Sequence, residues 1–500
     1  MNPREPAPPG AAPAYEQVAY PGYVYPQTHP ARLEVLGRFF GLDPVPAAHG
    51  TILELGCGDG GNALAIAQTL PEARVVGVDS SESAIARGRA LANAAGLTNL
   101  ELRLTDLSAP TAVQDLAPVD YVIAHGVYSW IPPAARTALL QCCGRFLAPA
   151  GIAYVSYNAY PGSYLRDMAR DVLDYHLRGV TEPDRRLASA HELMQAIVSA
   201  QTPTPYARVL REHMERMLAA GEALLFHDDL APVSTPVYFH EFVEHAAAHG
   251  LQFLSEAELS DSRLVEVPES AAELIQNLPQ DVIVREQYLD FFTNRMFRQT
   301  LLARAEVSLT RAIDGAQLEH TVISSPATGD GDTFSAPNGS SLSTSDPLVQ
   351  AAMRALSELW PVAVPFPELV QRASESVETR PVAADKLAQL GQAMFDAWLV
   401  GAVKLDACDL GAVGPDVPRP CASPLARAQN AGGLPLLSTL LPGNVSLDGE
   451  LERRLLGLLD GSRDRSQLAI ELGLEAETLD GALEHLAMSG LLCDARLGGS

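Results

Sequence analysis

Lysine is nearly missing from this chain. Lys386 and Lys404 stand alone, and arginine supplies the rest of its 35 basic side chains. Against 61 aspartates and glutamates, that leaves a formal net charge of −26. A protein that tracks phosphates needs basic stripes, and no run here is longer than a pair such as Arg453–Arg454, so nucleic acid is not an expected partner. The acidity serves solubility and is compatible with a cationic, lysine-bearing partner. Also missing is any run of about 18 apolar residues, so no membrane insertion is expected. The opening stretch, "MNPREPAPPGAAPAYEQ", has no apolar core of a secretory signal and reads as a disordered leader. Six cysteines (Cys57, Cys142, Cys143, Cys408, Cys421, Cys493) show no C-x-x-C spacing. They predict reduced thiols in a cytoplasmic protein, with neither a disulfide framework nor a metal site.

What is present is a strand–helix alternation. "TILELG", "RVVGVD", "LELRLTD", "DYVIAHG" and "GIAYVSYN" are short and apolar, as strands buried on both faces should be. Between them lie segments with apolar residues at helical spacing, one of which has Ser80, Ser81 or Ser83 to cap it and Gly96 to end it. This predicts an α/β fold with a doubly wound parallel sheet. A polar helical stretch follows. Strands are then expected at "EALLFHDDL", "LQFLSEAEL" and "RQTLLARAEV", the last antiparallel, with a helix over "TPVYFHEFVEHAAAHG". "TFSAPNGSSLST" reads as a hairpin turning at Asn338-Gly339, and Asp346-Pro347 opens a helix. Two later segments share a layout of three short helices and a β-like tail, that of a winged helix. The expected units are 1–44, an N-terminal leader and capping segment; 45–165, the α/β core; 166–221, a helical insert; 222–310, the remainder of the sheet; 311–425, the hairpin and a first winged-helix-like module; and 426–500, a second.

The turn "TILELGCGDGG" decides the chemistry. Gly56, Gly58 and Gly61 satisfy G-x-G-x-x-G, a dinucleotide fingerprint. Glu54, two residues earlier, would repel a pyrophosphate, whereas a ligand carrying an ammonium and a sulfonium would be complemented by it. "ELGCGDG" resembles the acidic-x-G-x-G-x-G motif of class I S-adenosylmethionine-dependent methyltransferases at Glu54, Gly56, Gly58 and Gly60. The resemblance implies a seven-stranded sheet and places Asp79 on the ribose and Asp106 beside the adenine. Cys57, Ser80, Leu107 and His125 complete the cofactor-binding set it implies. Outer blocks such as "HGVYSWIP", "SYNAYPG" and "REQYLDFFTNRMFRQTLL" resemble a bacterial subgroup with a regulatory domain, which includes rickettsial-type protein lysine methyltransferases.

Ligands of α/β sheets sit at the carboxyl ends of strands. That nominates His125, Tyr128 and Asn158 as catalytic, and Tyr128, Trp130, Tyr157, Asn158 and Tyr160 as substrate-binding. Tyr20, Tyr25 or His29 are candidates to cap the cofactor. "FHDDL" (His227, Asp228, Asp229) is read as a loop rather than a metal site, since adjacent residues converge poorly on one ion. The resemblance implies methyl transfer to a protein side chain, with lysine first, S-adenosylhomocysteine as product and a homodimer through the insert. A small-molecule or peptide-natural-product methyltransferase and a non-catalytic cofactor-binding regulatory subunit stay open, because the cofactor motif does not separate them.

Overall fold

The computed structural model describes residues 22–107, 110–116, 118–200, 203–262, 268–279, 281–378, 381–494 and 497. Helix α1 (Pro30–Phe39) opens with proline at its first position and His29 as N-cap, whose Nδ1 accepts from Ala31 N–H. The core then alternates β1 (Thr51–Leu55), α2 (Gly61–Thr69), β2 (Arg74–Asp79), α3 (Glu82–Ala94), β3 (Leu100–Leu104), β4 (Val119–Ala124), α4 (Pro133–Phe146) and β5 (Leu147–Asn158). Ser81 is the residue that caps α3, and Gly96 follows its end at φ +69°.

Three helices come next, α5 (Ser163–His176), α6 (Pro183–Ser199) and α7 (Pro205–Ala220). Then follow α8 (Phe239–Ala247), β6 (Leu251–Glu256), α9 (Glu269–Gln276), α10 (Val282–Thr293) and β7 (Phe297–Arg304). The seven strands run in the order β3-β2-β1-β4-β5-β7-β6. β1 to β5 are parallel, and β7 lies antiparallel between β5 and β6. One expectation fails: "EALLFHDDL" is not a strand. It forms a short helix, Glu222–Leu224, and a π-helical turn, Leu225–Asp229. Its apolar run serves the helical insert, where Leu225, Phe226 and Leu230 bury against Leu173, Met194 and Met214.

Beyond the sheet, β8 (Val322–Ser324), β9 (Thr328–Asp330), β10 (Thr333–Ser335) and β11 (Ser341–Ser343) precede α11 (Pro347–Leu359), β12 (Val364–Pro365), α12 (Phe366–Ser376), α13 (Ala384–Leu399) and β13 (Lys404–Asp406). The β10–β11 hairpin turns through Asn338 and Gly339, the latter at φ +85°, and Asp346 caps α11. This region shares a core with the sheet: Phe39 meets the rings of Phe395 and Trp398 at 5.6 and 5.4 Å. The last unit comprises α14 (Pro424–Ala431), the hairpin β14 (Leu436–Thr439) and β15 (Gly443–Ser446), and α15 (Glu450–Leu458), α16 (Arg465–Leu472) and α17 (Ala476–Met488) around their own leucine-rich core. Among the described residues, no helix is long and apolar enough to cross a membrane.

Candidate active site

The turn after β1 uses backbone that glycine adopts without strain. Gly56, Gly58 and Gly60 have φ of +74°, +58° and +78°. A Cβ on Gly56 would lie 2.5 Å from Val127 Cγ2, while one on Gly58 would meet no atom within 4 Å. Two carboxylates frame this bare turn. Asp79, ending β2, accepts from Gly58 N–H on Oδ2 at 2.8 Å and from Ser81 N–H on Oδ1 at 2.9 Å. Glu54, in β1, is buried; its Oε1 accepts from Asn62 Nδ2 at 3.0 Å, and its Oε2 has no partner among the described residues. Burial pushes the Glu54 carboxyl up to about 8, and the neighbouring Asp79 and Asp59 act in the same direction against the Asn62 bond and the Ala63 backbone N–H. An orphaned, desolvated carboxylate oxygen of this kind calls for a cation.

The turn opens on a cavity of about 500 Å³. His125 and Trp130 line it from the loop after β4, Asn158 from the end of β5, and Met296 and Phe297 from the start of β7. Asp228 enters from the π-helical turn, whose backbone is fixed by Arg170: its guanidinium donates to the carbonyls of Asp228 and Ala231. Arg166 lies 3.6 Å from Asp228 and 2.7 Å from Asp229, with its guanidinium 5.4 Å from the Trp130 ring. Burial pushes the Asp228 carboxyl up, with Arg166 opposing. Asn158 leaves its buried Nδ2 without a partner among the described residues.

This arrangement has relatives. Residues 52–151 match the family described as "Methyltransferase domain", residues 221–304 "Predicted methyltransferase regulatory domain", and residues 418–485 "PKMT, C-terminal winged helix domain". Protein RP028 of Rickettsia prowazekii is 32% identical over 235 residues, 47% of this chain and 93% of its own length. The chain belongs to the S-adenosylmethionine-dependent methyltransferases. Protein RP789 of the same organism is 34% identical over 310 residues, 61% of this chain but 55% of that longer relative. The fold is that of PKMT2 from Rickettsia typhi, at TM-score 0.82 and 24% identity over 95% of this chain and 100% of that one; PKMT2 is also solved in complex with AdoHcy.

The methyltransferase's own residues fit its cationic, phosphate-free donor. Glu54 Oε2 is the unpartnered carboxyl oxygen that a bound cation would ionise, Asp79 keeps lone pairs for hydroxyls, and the space beside Gly58 admits a ligand against the backbone. Of the sequence-nominated residues, Glu54, Gly56, Cys57, Gly58, Asp79, Ser80, Leu107, His125, Trp130 and Asn158 line the one cavity. Gly60 lies behind it as the N-cap of α2. Asp106 is exposed beside Leu107 and does not line the main cavity.

The aromatic nominations divide. Tyr128 is buried, its hydroxyl 2.9 Å from His245 Nδ1, and Tyr157 stacks on Phe242 at 4.1 Å with its hydroxyl 3.1 Å from Thr300 Oγ1. Both therefore sit in the core rather than in a channel wall. The period of a strand explains Tyr157: Tyr154, Ser156 and Asn158 share one face of β5 and Tyr157 takes the other. Tyr160 is absorbed by stacking on Tyr164 at 4.2 Å and donating to Asp167 Oδ2 at 2.9 Å.

Of the capping candidates, Tyr25 lines the cavity, 3.8 Å from the His125 ring. His29 instead bonds Thr69 Oγ1 at 2.9 Å in the interior, where burial lowers it to about 3, and Tyr20 lies outside the described residues. His125 is likewise lowered by burial, to about 4, so it is neutral at physiological pH. Tyr154 donates its proton to Gln299 Oε1, so the network assigns His125 Nδ1–H as donor to Tyr154 and Nε2 as the remaining acceptor. Sequence reasoning passed over Asn62, Arg166 and Phe297, and it weighed Asp228 in "FHDDL" only as a loop residue. Asn62 left a trace as a polar residue in the first turn of the otherwise apolar "GNALAIA".

Proposed function

We propose that this methyltransferase acts on a lysine side chain of a protein. The observation that carries the reading is Asp228 in the donor cavity beside Trp130 and Asn158, with Arg166 turned chiefly to Asp229 at 2.7 Å against 3.6 Å to Asp228. A carboxylate, an aromatic face and a carboxamide are what an alkylammonium meets favourably on entering a partly dry site. The likeness of the whole fold, winged-helix unit included, to PKMT2 supports it, since such a surface exceeds what a metabolite needs.

S-adenosylmethionine supplies an electrophilic methyl carbon on a sulfonium. Glu54 and Asp79 hold the donor, and Gly58 gives it close approach to the backbone. Asp228 accepts a hydrogen bond from the incoming ammonium. Trp130 and Phe297 strip water from it, which favours the neutral amine against its usual pKa of about 10.4; Asp228 draws the cation in but opposes that shift, and the proton leaves to solvent before the lone pair is used. The chain's part is then positioning, with the nitrogen lone pair aimed at the methyl carbon. His125, neutral and bonded to Tyr154, is a fixed wall and hydrogen-bond acceptor rather than a base poised near pH 7.

The test is transfer of labelled methyl from S-adenosylmethionine into fractionated lysate, with Asp79→Ala as control. Methyl-lysine recovered from a discrete protein band, absent with the variant, is the expected result. Label confined to small molecules refutes the protein acceptor, and no Asp79-dependent label refutes catalysis.

A further inference from the structure

The segment ahead of α1 is stitched to several distant parts of the molecule. At one end, Gly22 lies against the glycine turn: a Cβ on Gly61 would come within 2.7 Å of the Gly22 carbonyl oxygen. At the other, Tyr25 N–H donates to Asn62 Oδ1 at 3.0 Å, and Asn62 Nδ2 donates to both Glu54 Oε1 and Thr28 Oγ1 at 3.0 Å. Between them, Val24 N–H donates at 2.8 Å to Asn444 Oδ1, 420 residues further along the chain. Asn444 belongs to β15, in the hairpin of the C-terminal unit.

This unit is anchored on the donor side as well. Gln68, on the helix that starts at the glycine turn, accepts at 2.8 Å from both Ser423 Oγ and Leu425 N–H. The Leu425 side chain is fully buried in a cluster with Val24, Leu64 and Ala92. One module therefore grips both the segment 22–28 and the helix α2, two walls of the donor cavity.

We propose that the hairpin of the winged-helix unit is a latch on the donor site, with Asn444 the positioning residue that holds segment 22–28 against Asn62 and His125. The inference concerns the donor and does not depend on which acceptor is methylated. Its physical basis is accounting of backbone donors. The segment joins no β-ladder, so the buried Val24 N–H has Asn444 as its partner and loses it when that side chain is removed. A frayed segment must be ordered again by each ligand that binds beneath it, which lowers affinity. Coupling is reciprocal, so a partner that displaces the hairpin would loosen the donor, and a bound donor would tighten the hairpin.

The experiment uses the full chain and S-adenosylhomocysteine as probe, followed by calorimetry and stopped-flow dissociation. Hydrogen exchange over residues 22–28 in the ligand-free chain reads the latch independently of any binding. Asn444→Ala should raise Kd about fivefold, mainly through faster dissociation, and speed exchange over 22–28. Asn444→Asp keeps an Oδ acceptor and should restore both. Parental dissociation and exchange in Asn444→Ala overturn the latch. So does an Asn444→Asp variant as impaired as Asn444→Ala, because then the hydrogen bond is not what matters.

Discussion

Replacing Glu54 by glutamine isolates one buried charge without removing its hydrogen bond, since the new side chain keeps an Oε1 for Asn62. In the donor-free chain the Glu54 carboxyl is held at about 8, against an ordinary 4.5, chiefly by burial. The sign follows from linkage. Below about pH 4.5 the group is protonated folded or unfolded, so stability is fully present; between 4.5 and 8 the unfolded chain releases a proton that the folded chain keeps, and stability is lost as pH rises. The loss is about 1.4 kcal/mol per pH unit, or about 3 kcal/mol at pH 7. Glu54→Gln should therefore match the parent at pH 4.5 and exceed it progressively up to pH 8, read as the urea midpoint without ligand. Donor binding should move the other way. A bound cation ionises Glu54, so binding at pH 6–7 releases nearly one proton, measurable by calorimetry in buffers of different ionisation enthalpy. Glu54→Gln abolishes that release and weakens binding about 10- to 100-fold, the worth of a charge-assisted bond. A stability difference that is the same at pH 4.5 and pH 8, or binding without proton release, refutes the argument.

Asp228→Asn should raise the acceptor KM about tenfold while leaving the Kd for S-adenosylhomocysteine within about twofold, a split checked by steady-state kinetics beside calorimetry. Gly56→Ala combines a φ of +74° with a 2.5 Å approach to Val127 Cγ2. It should cost about 1–3 kcal/mol and reduce donor affinity, read by denaturation and binding together. Arg298 is fully buried at 2.7, 3.1 and 2.8 Å from Glu256, Glu286 and Asp290. Arg298→Met strands three carboxylates and should destabilise by about 3–5 kcal/mol at pH 7, read as the urea midpoint, and less on acidification, since burial already pushes the Asp290 carboxyl up. Since burial holds His125 at about 4, a pH–rate profile between 5.5 and 8 should carry no step that His125→Asn removes.

The parallel core and the donor turn were legible because each leaves a local signal. Uninterrupted apolar runs mark strands buried on both faces, and Glu54, the glycines and Asp79 lie within one β-turn-α-β stretch. Asp228 and Arg166 were not, because they reach the cavity only after α5 and the π-helical turn fold back onto the sheet. "EALLFHDDL" misled because a short apolar run fits a strand or a buried helical turn equally well by periodicity. Tyr157 was a different kind of miss. The alternation of β5 already assigned it to the face opposite Asn158, and nominating both neighbours ignored that parity.

The place of β7 bears on the order in which the molecule can be made. β5 is flanked by β4 on one side and by β7, some 140 residues later, on the other, with register Ala153↔Leu302 to Asn158↔Phe297. During synthesis β5 waits as an unpaired edge while the insert, α8 and β6 emerge, an interval in which such an edge is open to misassociation. Phe297, the residue that brings this strand to the donor cavity, arrives last among the sheet's contributors, and Asn444 later still. A nascent or truncated chain that has completed the glycine turn thus carries the motif of a donor site without the walls to retain a ligand.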